Sequence, residues 1–166
     1  MGHRISGVLL RGAFDRAAAR RFELEVIPLP QDLTLLPVDI YLLEFWGVVT
    51  GNTKRRDDGI RELLFPSDDV LFDIVEALRP GALFAVIATD YFGGIGTQAA
   101  AVYRGRDEVM APTIGGINAA LRHLGIRHTK GIDAFESVEL DRHRHCDALD
   151  DCDWDARYRE RGLERP

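Results

Sequence analysis

One ten-residue segment, Thr89–Gln98, constrains the fold of this chain more than any other. Three glycines fall within positions 93–96, and they separate two apolar runs, Ala82–Ala88 and Ala99–Tyr103. Glycine accepts positive φ without steric cost, so three glycines this close together indicate an unusual backbone path. We therefore predict a wide hairpin or a bulge between two core strands.

The remaining segments mix strand and helix patterns. Asp39–Gly47 contains strand-favouring aromatic residues, but Asp39 is a good N-cap, and we therefore predict a helix there. The predicted strands are Ile5–Arg11, Phe22–Ile27, Leu33–Val38, Arg61–Phe65, Ala82–Phe92, Gln98–Arg104 and Glu108–Ala111. The predicted helices are Phe14–Arg21, Asp39–Gly47, Ser67–Leu78, Thr113–Leu124 and a short turn at Asp133–Val138.

These elements do not follow a strict strand–helix–strand alternation, and no repeat or linker divides the chain. We predict one α+β domain over residues 1–140, with a mainly antiparallel mixed sheet and three to four helices packed on it. Residues 141–166 read as a polar C-terminal tail whose helical content the sequence leaves open. Truncation after Asp141 should then cost little stability, unless Trp154 docks the tail on the domain together with Leu149 and Tyr158.

Composition excludes several classes of protein. The 166 residues carry a net charge of −6, which argues against a nucleic-acid binder, because such proteins usually present a basic stripe. No apolar run approaches the length of a membrane span, and no signal segment opens the chain. With two cysteines, the chain does not contain a disulfide framework. We expect a cytoplasmic protein, and the 19 arginines against two lysines suggest a GC-rich bacterial genome.

Polar side chains beside the glycines are the candidate binding residues. Asp90, Tyr91 and Gln98 can all form hydrogen bonds, and loop residues on a rigid sheet often carry function. The alternative is that they only brace the turn through its backbone amides. We predict a binding site at these three residues and no catalytic group.

The sequence from Gly94 to Ala99 also matches the dinucleotide-binding pattern G-x-G-x-x-A after a strand. That fold requires a helix of two or three turns next, packed on the sheet. The residues that follow, Ala99–Tyr103, are too few and too strand-like, so we reject this interpretation and predict no cofactor.

A second candidate cluster lies in the tail. Its side chains, His143, His145, Cys146 and Cys152, are of the types that bind zinc. Their spacing matches no pair of the kind found in closed zinc sites, and the arginines between them repel a cation. We predict a solvated tail and no metal.

Two functional hypotheses remain. The first is a binding protein with a protein partner, for example an immunity-type protein that neutralises a basic toxin, because an acidic surface steers toward basic partners. The alternative is a small enzyme with a pocket beside the Gly93–Gly96 hairpin. No nucleophile–base pair in the sequence supports the enzyme, and we favour the binding protein.

Overall fold

The computed structural model describes residues 2–56, 60, 63 and 65–166. Its strands are β1 (His3–Arg11), β2 (Ile27–Leu29), β3 (Leu33–Pro37), β4 (Leu83–Phe92), β5 (Ile95–Arg104) and β6 (Asp107–Ile114). They form one sheet in the order β2-β3-β1-β4-β5-β6, and every pair of neighbours is antiparallel.

Helices cover both faces of this sheet. They are α1 (Arg16–Arg21), α2 (Ile40–Thr50), α3 (Val70–Leu78), α4 (Ile117–His123), α5 (Ala134–Ser137), α6 (Asp147–Asp150) and α7 (Trp154–Glu160), with a 3₁₀ turn at Leu140–Arg142. The face that we call the α2 face packs against α1, α2, α3 and α7. The opposite face, the α4 face, packs against α4, α5 and the 3₁₀ turn. The predicted single-domain α+β fold is confirmed.

Strand β4 lies at the centre and shows why its sequence is almost wholly apolar. Phe84 and Val86 enter the core on the α2 face, whereas Ala85 and Ile87 enter the core on the α4 face. A strand covered on both sides has no solvent-facing position along this stretch, so the apolar and polar alternation disappears.

The predicted strand at Phe22–Ile27 is wrong, and the structure shows the reason. Phe22 and Glu23 form a turn directly after the last residue of α1, with Glu23 in the left-handed region at φ 55°. The Leu24 N–H donates to the Ala19 carbonyl and the Glu23 N–H donates to the Arg20 carbonyl, which is a Schellman motif. This motif buries Phe22 and Leu24 and exposes Glu23, which mimics strand alternation.

Two helix boundaries also differ from the prediction. Helix α2 does not stop at Gly47 but continues to Thr50, and Gly51 ends it at φ 76°. Helix α4 begins at Ile117, because Thr113 is still part of strand β6. The predicted strand at Arg61–Phe65 falls mostly outside the described residues.

Residues of the C-terminal tail contribute to the core, which is the alternative that the sequence left open. Trp154 and Tyr158 on α7 are buried on the α2 face. Their rings pack against Phe45 on α2, at centroid distances of 5.9 and 5.2 Å. The few apolar residues of this segment are thus the ones that anchor it.

Candidate functional site

The glycine segment forms the predicted hairpin between two core strands, but its turn is tight and not wide. Phe92 pairs with Ile95, so that only Gly93 and Gly94 form the turn, at φ 61° and 82°. Two consecutive residues with positive φ match a type I′ turn, which suits the twist of the strands. The third glycine lies inside β5, where its role is close packing against Tyr91.

Strand alternation separates the three predicted binding residues. Gln98 pairs with Thr89, and the side chains of Tyr91 and Gln98 line a cavity on the α4 face. Asp90 lies between Thr89 and Tyr91 in the strand and lines a different cavity, on the α2 face. Among the described residues, no amide of the glycine turn donates to the Asp90 carboxylate. The structure therefore brings Tyr91 and Gln98 together and places Asp90 apart from them.

The cavity at Tyr91 and Gln98, which we call the Tyr91 cavity, measures about 310 Å³. His3 forms one wall and holds neighbouring segments together: its Nε2–H donates to the Leu140 carbonyl at 3.1 Å, and its Nδ1 lies 2.8 Å from Thr89 Oγ1. Tyr91 and Gln98 do not connect neighbouring segments in this way in the described part of the chain. Both residues line the cavity, and a binding role for them stays a prediction.

The other cavity, about 330 Å³, lies at the outer edge of β1, where β3 no longer pairs with it. We call it the β1-edge cavity. Its lining includes Asp39 at the start of α2, Asp90 on β4, Asp150 on α6, and the aromatic side chains of Tyr41 and Trp154. Three carboxylates from different segments therefore line one cavity, together with the arginines Arg4 and Arg165.

Asp39 caps helix α2, as the sequence predicted. Its Oδ1 accepts a hydrogen bond of 2.7 Å from the Leu42 N–H. Burial is the main cause that raises the pKa of Asp39, and the nearby Asp150 carboxylate raises it further. As the N-cap, Asp39 therefore stabilises helix α2, whereas its half-buried negative charge destabilises the folded state.

We expect Asp39→Asn and Asp39→Ala to separate these two effects. Alanine removes the cap and should cost about 1 kcal/mol, whereas asparagine also caps and should be neutral or stabilising near neutral pH. A raised pKa means that the folded state binds the proton more tightly, so this carboxyl stabilises the fold less as the pH rises through its folded pKa.

Urea unfolding of the parent and both variants tests this expectation. The advantage of asparagine over aspartate should be largest at about pH 7 and should shrink at about pH 4. An Asp39→Asn variant that loses as much stability as Asp39→Ala at both pH values would contradict it.

The two cysteines also line the β1-edge cavity, as free thiols. Burial raises the pKa of Cys146 to about 12, and burial also raises the pKa of Cys152. Both thiols therefore stay protonated and are weak nucleophiles. Across residues 2–56, 60, 63 and 65–166, no three His, Cys, Asp or Glu side chains are grouped to hold a metal ion. The set His143, His145, Cys146 and Cys152 is thus not assembled into a site.

Large apolar side chains stand exposed near the end of the sheet that carries the glycine hairpin. Phe92 is 79% exposed, Ile95 is 83% exposed and Ile114 on β6 is 58% exposed. The pairings Phe92–Ile95 and Ala99–Ile114 place all three on the α2 face, beyond the part that the helices cover. We call this surface the hairpin corner. Sequence reasoning missed it, although apolar residues on both sides of a two-glycine turn were a signal that could have revealed it.

The negative charge of the chain is concentrated in one segment. Residues 133–155 hold nine carboxylates and two arginines, a net charge of −7, whereas the whole chain carries −6. This acidic segment passes from the α4 face to the α2 face around the outer edge of β1, where the Arg4 N–H donates to the Arg144 carbonyl at 2.8 Å. The rest of the molecule is therefore close to neutral.

Comparison of the chain with protein-family models, with curated proteins and with solved structures gives no match. In the described part of the chain, none of the helices is long and apolar enough to cross a membrane. Any functional assignment therefore depends on the geometry of the hairpin corner, the two cavities and the acidic segment.

Proposed function

We propose that this chain is a protein-binding domain, and that a basic protein partner docks on the hairpin corner next to the acidic segment. The observation that carries the proposal is the exposure of Phe92 and Ile95 at the end of a regular hairpin. Within this proposal the chain is a cytoplasmic bacterial protein, and an immunity-type protein that neutralises a basic toxin is one form of it.

The energetics favour the hairpin corner as a contact surface. Burial of a fully exposed Phe or Ile side chain contributes roughly 1.5–3 kcal/mol, so the pair Phe92 and Ile95 can supply a large share of a binding free energy. Both residues belong to paired strands, and little conformational entropy is lost when they are covered. Contiguous exposed apolar side chains commonly mark interaction sites.

The position of the acidic segment supports a basic partner. Its exposed carboxylates Asp147, Asp150 and Asp151 have no cationic partner among the described residues, so their field extends into solvent. Such a field accelerates the approach of a positively charged protein and is screened by salt. The apolar surface then supplies affinity at short range.

The alternative function, a small enzyme with a pocket beside the hairpin, has less support. It requires Asp90, Tyr91 and Gln98 to face one substrate, whereas Asp90 lines one cavity and the other two line another. The thiols near Asp90 are held protonated by burial. Two separate cavities fit a binding protein at least as well.

Site-specific photo-crosslinking tests the proposal. p-Benzoylphenylalanine in place of Phe92 or Ile95 should yield one crosslinked product with a basic protein of pI above about 9. The control carries the same group in place of Val109, which is 44% exposed and lies near the other end of the sheet. This variant should yield no such product.

The crosslink should weaken strongly between about 50 mM and about 500 mM salt, because surface charge attraction is screened. Identical products from positions 92 and 109, or an acidic partner whose crosslink is insensitive to salt, would contradict the proposal.

A further inference from the structure

Residues 147–165 form one wall of the β1-edge cavity, and we call them the strap. The other walls come from β1, from β4 and from the start of α2. The strap adds to the lining the side chains of Leu149, Asp150, Cys152, Trp154 and Arg165. The cavity is therefore enclosed only while the strap lies against the rest of the protein.

Two side chains anchor the strap. Across residues 147–165, Trp154 and Tyr158 are the only buried residues, and α6 contributes none. Helix α7 has seven residues, which are too few for a helix to persist in water without tertiary contacts. Among the described residues, the strap also adds no strand to the sheet. Segments with so few buried contacts open at a lower free energy than the core does.

The contact between α7 and α2 leaves one polar group unsatisfied. The Tyr158 hydroxyl is buried, and within the described residues it has no hydrogen-bond partner. The same hydroxyl forms hydrogen bonds with water once α7 leaves α2, and this gain lowers the free energy of opening.

Two arginines of α7 are also crowded. Arg157 and Arg161 both form an ion pair with the single carboxylate of Glu23. Their guanidinium carbons lie 4.7 and 5.3 Å from the centre of the Phe45 ring. Burial lowers the pKa of Arg157, and the charge of Arg161 lowers it further. Opening returns both cations to water, so the recovered hydration offsets part of the attraction to Glu23 and Phe45.

We infer that the strap is a lid, which swings away from α2 and opens the β1-edge cavity while the sheet stays folded. Cys146 is buried on the α4 face and marks the fixed end of the moving segment. Residues 147–153 connect it to Trp154, and none of them is fully buried, so this stretch can change direction without unpacking the core. The inference goes beyond the proposed function, because it concerns access to the cavity and not the hairpin corner.

Thiol labelling of the native full chain with iodoacetamide tests the inference. Cys152→Ser leaves Cys146 as the single thiol, and this thiol lines the cavity at 7% exposure. The labelling rate therefore reports how often the strap uncovers it. Labelling should be at least about tenfold faster than the global unfolding equilibrium, measured with urea on the same variant, allows.

Two further substitutions in this background separate opening of the strap from global unfolding. Trp154→Ala removes an anchor of the strap and should accelerate labelling at least about tenfold. The matched control, Ile74→Ala, removes a buried side chain of α3 on the same face, which stays packed when the strap opens. It should lower global stability but change the labelling rate less than about twofold. Arg161→Ala is a milder variant for the case that Trp154→Ala does not fold, and it should accelerate labelling at least about threefold.

Equal acceleration by the strap variant and by Ile74→Ala would overturn the inference, because labelling would then require global unfolding. A labelling rate that none of the variants changes would also overturn it, because the reagent would then reach Cys146 through the closed cavity.

Discussion

Replacement of Trp154 by alanine is expected to lower the free energy of unfolding by about 3–5 kcal/mol, the usual range for truncation of a buried aromatic residue. Trp154 is 8% exposed and packs on Phe45, and its indole helps to hold α7 against α2. The loss therefore includes both the cavity left behind and the weakened attachment of the last helix. Urea unfolding followed by circular dichroism measures it.

Tyr158→Phe is the matched control on the same helix. The Tyr158 hydroxyl is buried without a hydrogen-bond partner in the described part of the chain, so its removal should be neutral or stabilising. If Trp154→Ala melts like the parent protein, then α7 does not contribute to the core, and truncation after Asp141 would be harmless. If both variants lose several kcal/mol, the hydroxyl has a partner that the structure does not show.

Gly96→Val is expected to be the most damaging substitution in the hairpin, with a loss of about 3 kcal/mol or more. A Cβ atom at this position would lie 2.5 Å from Tyr91 Cα and closer still to the Asp90 carbonyl oxygen. Relief of this collision requires β4 and β5 to separate. A Cβ atom at position 93 or 94 meets no atom within 4 Å apart from its neighbours in the chain, and the positive φ is what opposes a side chain there.

The two turn variants, Gly93→Val and Gly94→Val, therefore serve as controls and should lose only about 1–2 kcal/mol each. Thermal unfolding of the three variants ranks them directly. A Gly96→Val variant that is more stable than either turn variant would mean that the strands adjust easily, and that the close approach of the two backbones is not a constraint.

The fold could be predicted wherever one local signal dominated. Strand β4 was predicted correctly because burial on both faces requires an apolar residue at almost every position. The start of helix α2 was predicted correctly because an N-cap requires a residue such as Asp39. Phe22–Ile27 was misread because a Schellman turn and a strand bury alternate residues in the same way. The role of Trp154 was uncertain because one aromatic residue in a charged segment does not reveal which surface it contacts.

The candidate site was predicted less completely, for a geometric reason. Asp90, Tyr91 and Gln98 all line cavities, and their role in binding stays a prediction. Which face each residue occupies depends on pairing register, and a shift of one residue exchanges the two faces. Asp39 and Asp150 are far from Asp90 in sequence, so no pattern of spacing could have shown that they share a cavity.

The hydrogen bond between the N–H of Arg4 and the carbonyl of Arg144 also has a consequence for folding. Strand β1 lies in the middle of the sheet, between β3 and β4, but β3 pairs only with Gly7–Arg11, and the edge of the first residues of β1 is closed by the acidic segment instead. Since contacts this distant in sequence form late, a partly folded chain exposes this short strand edge until the acidic segment docks. Aggregation through the exposed edge is therefore expected to compete with this last step of folding.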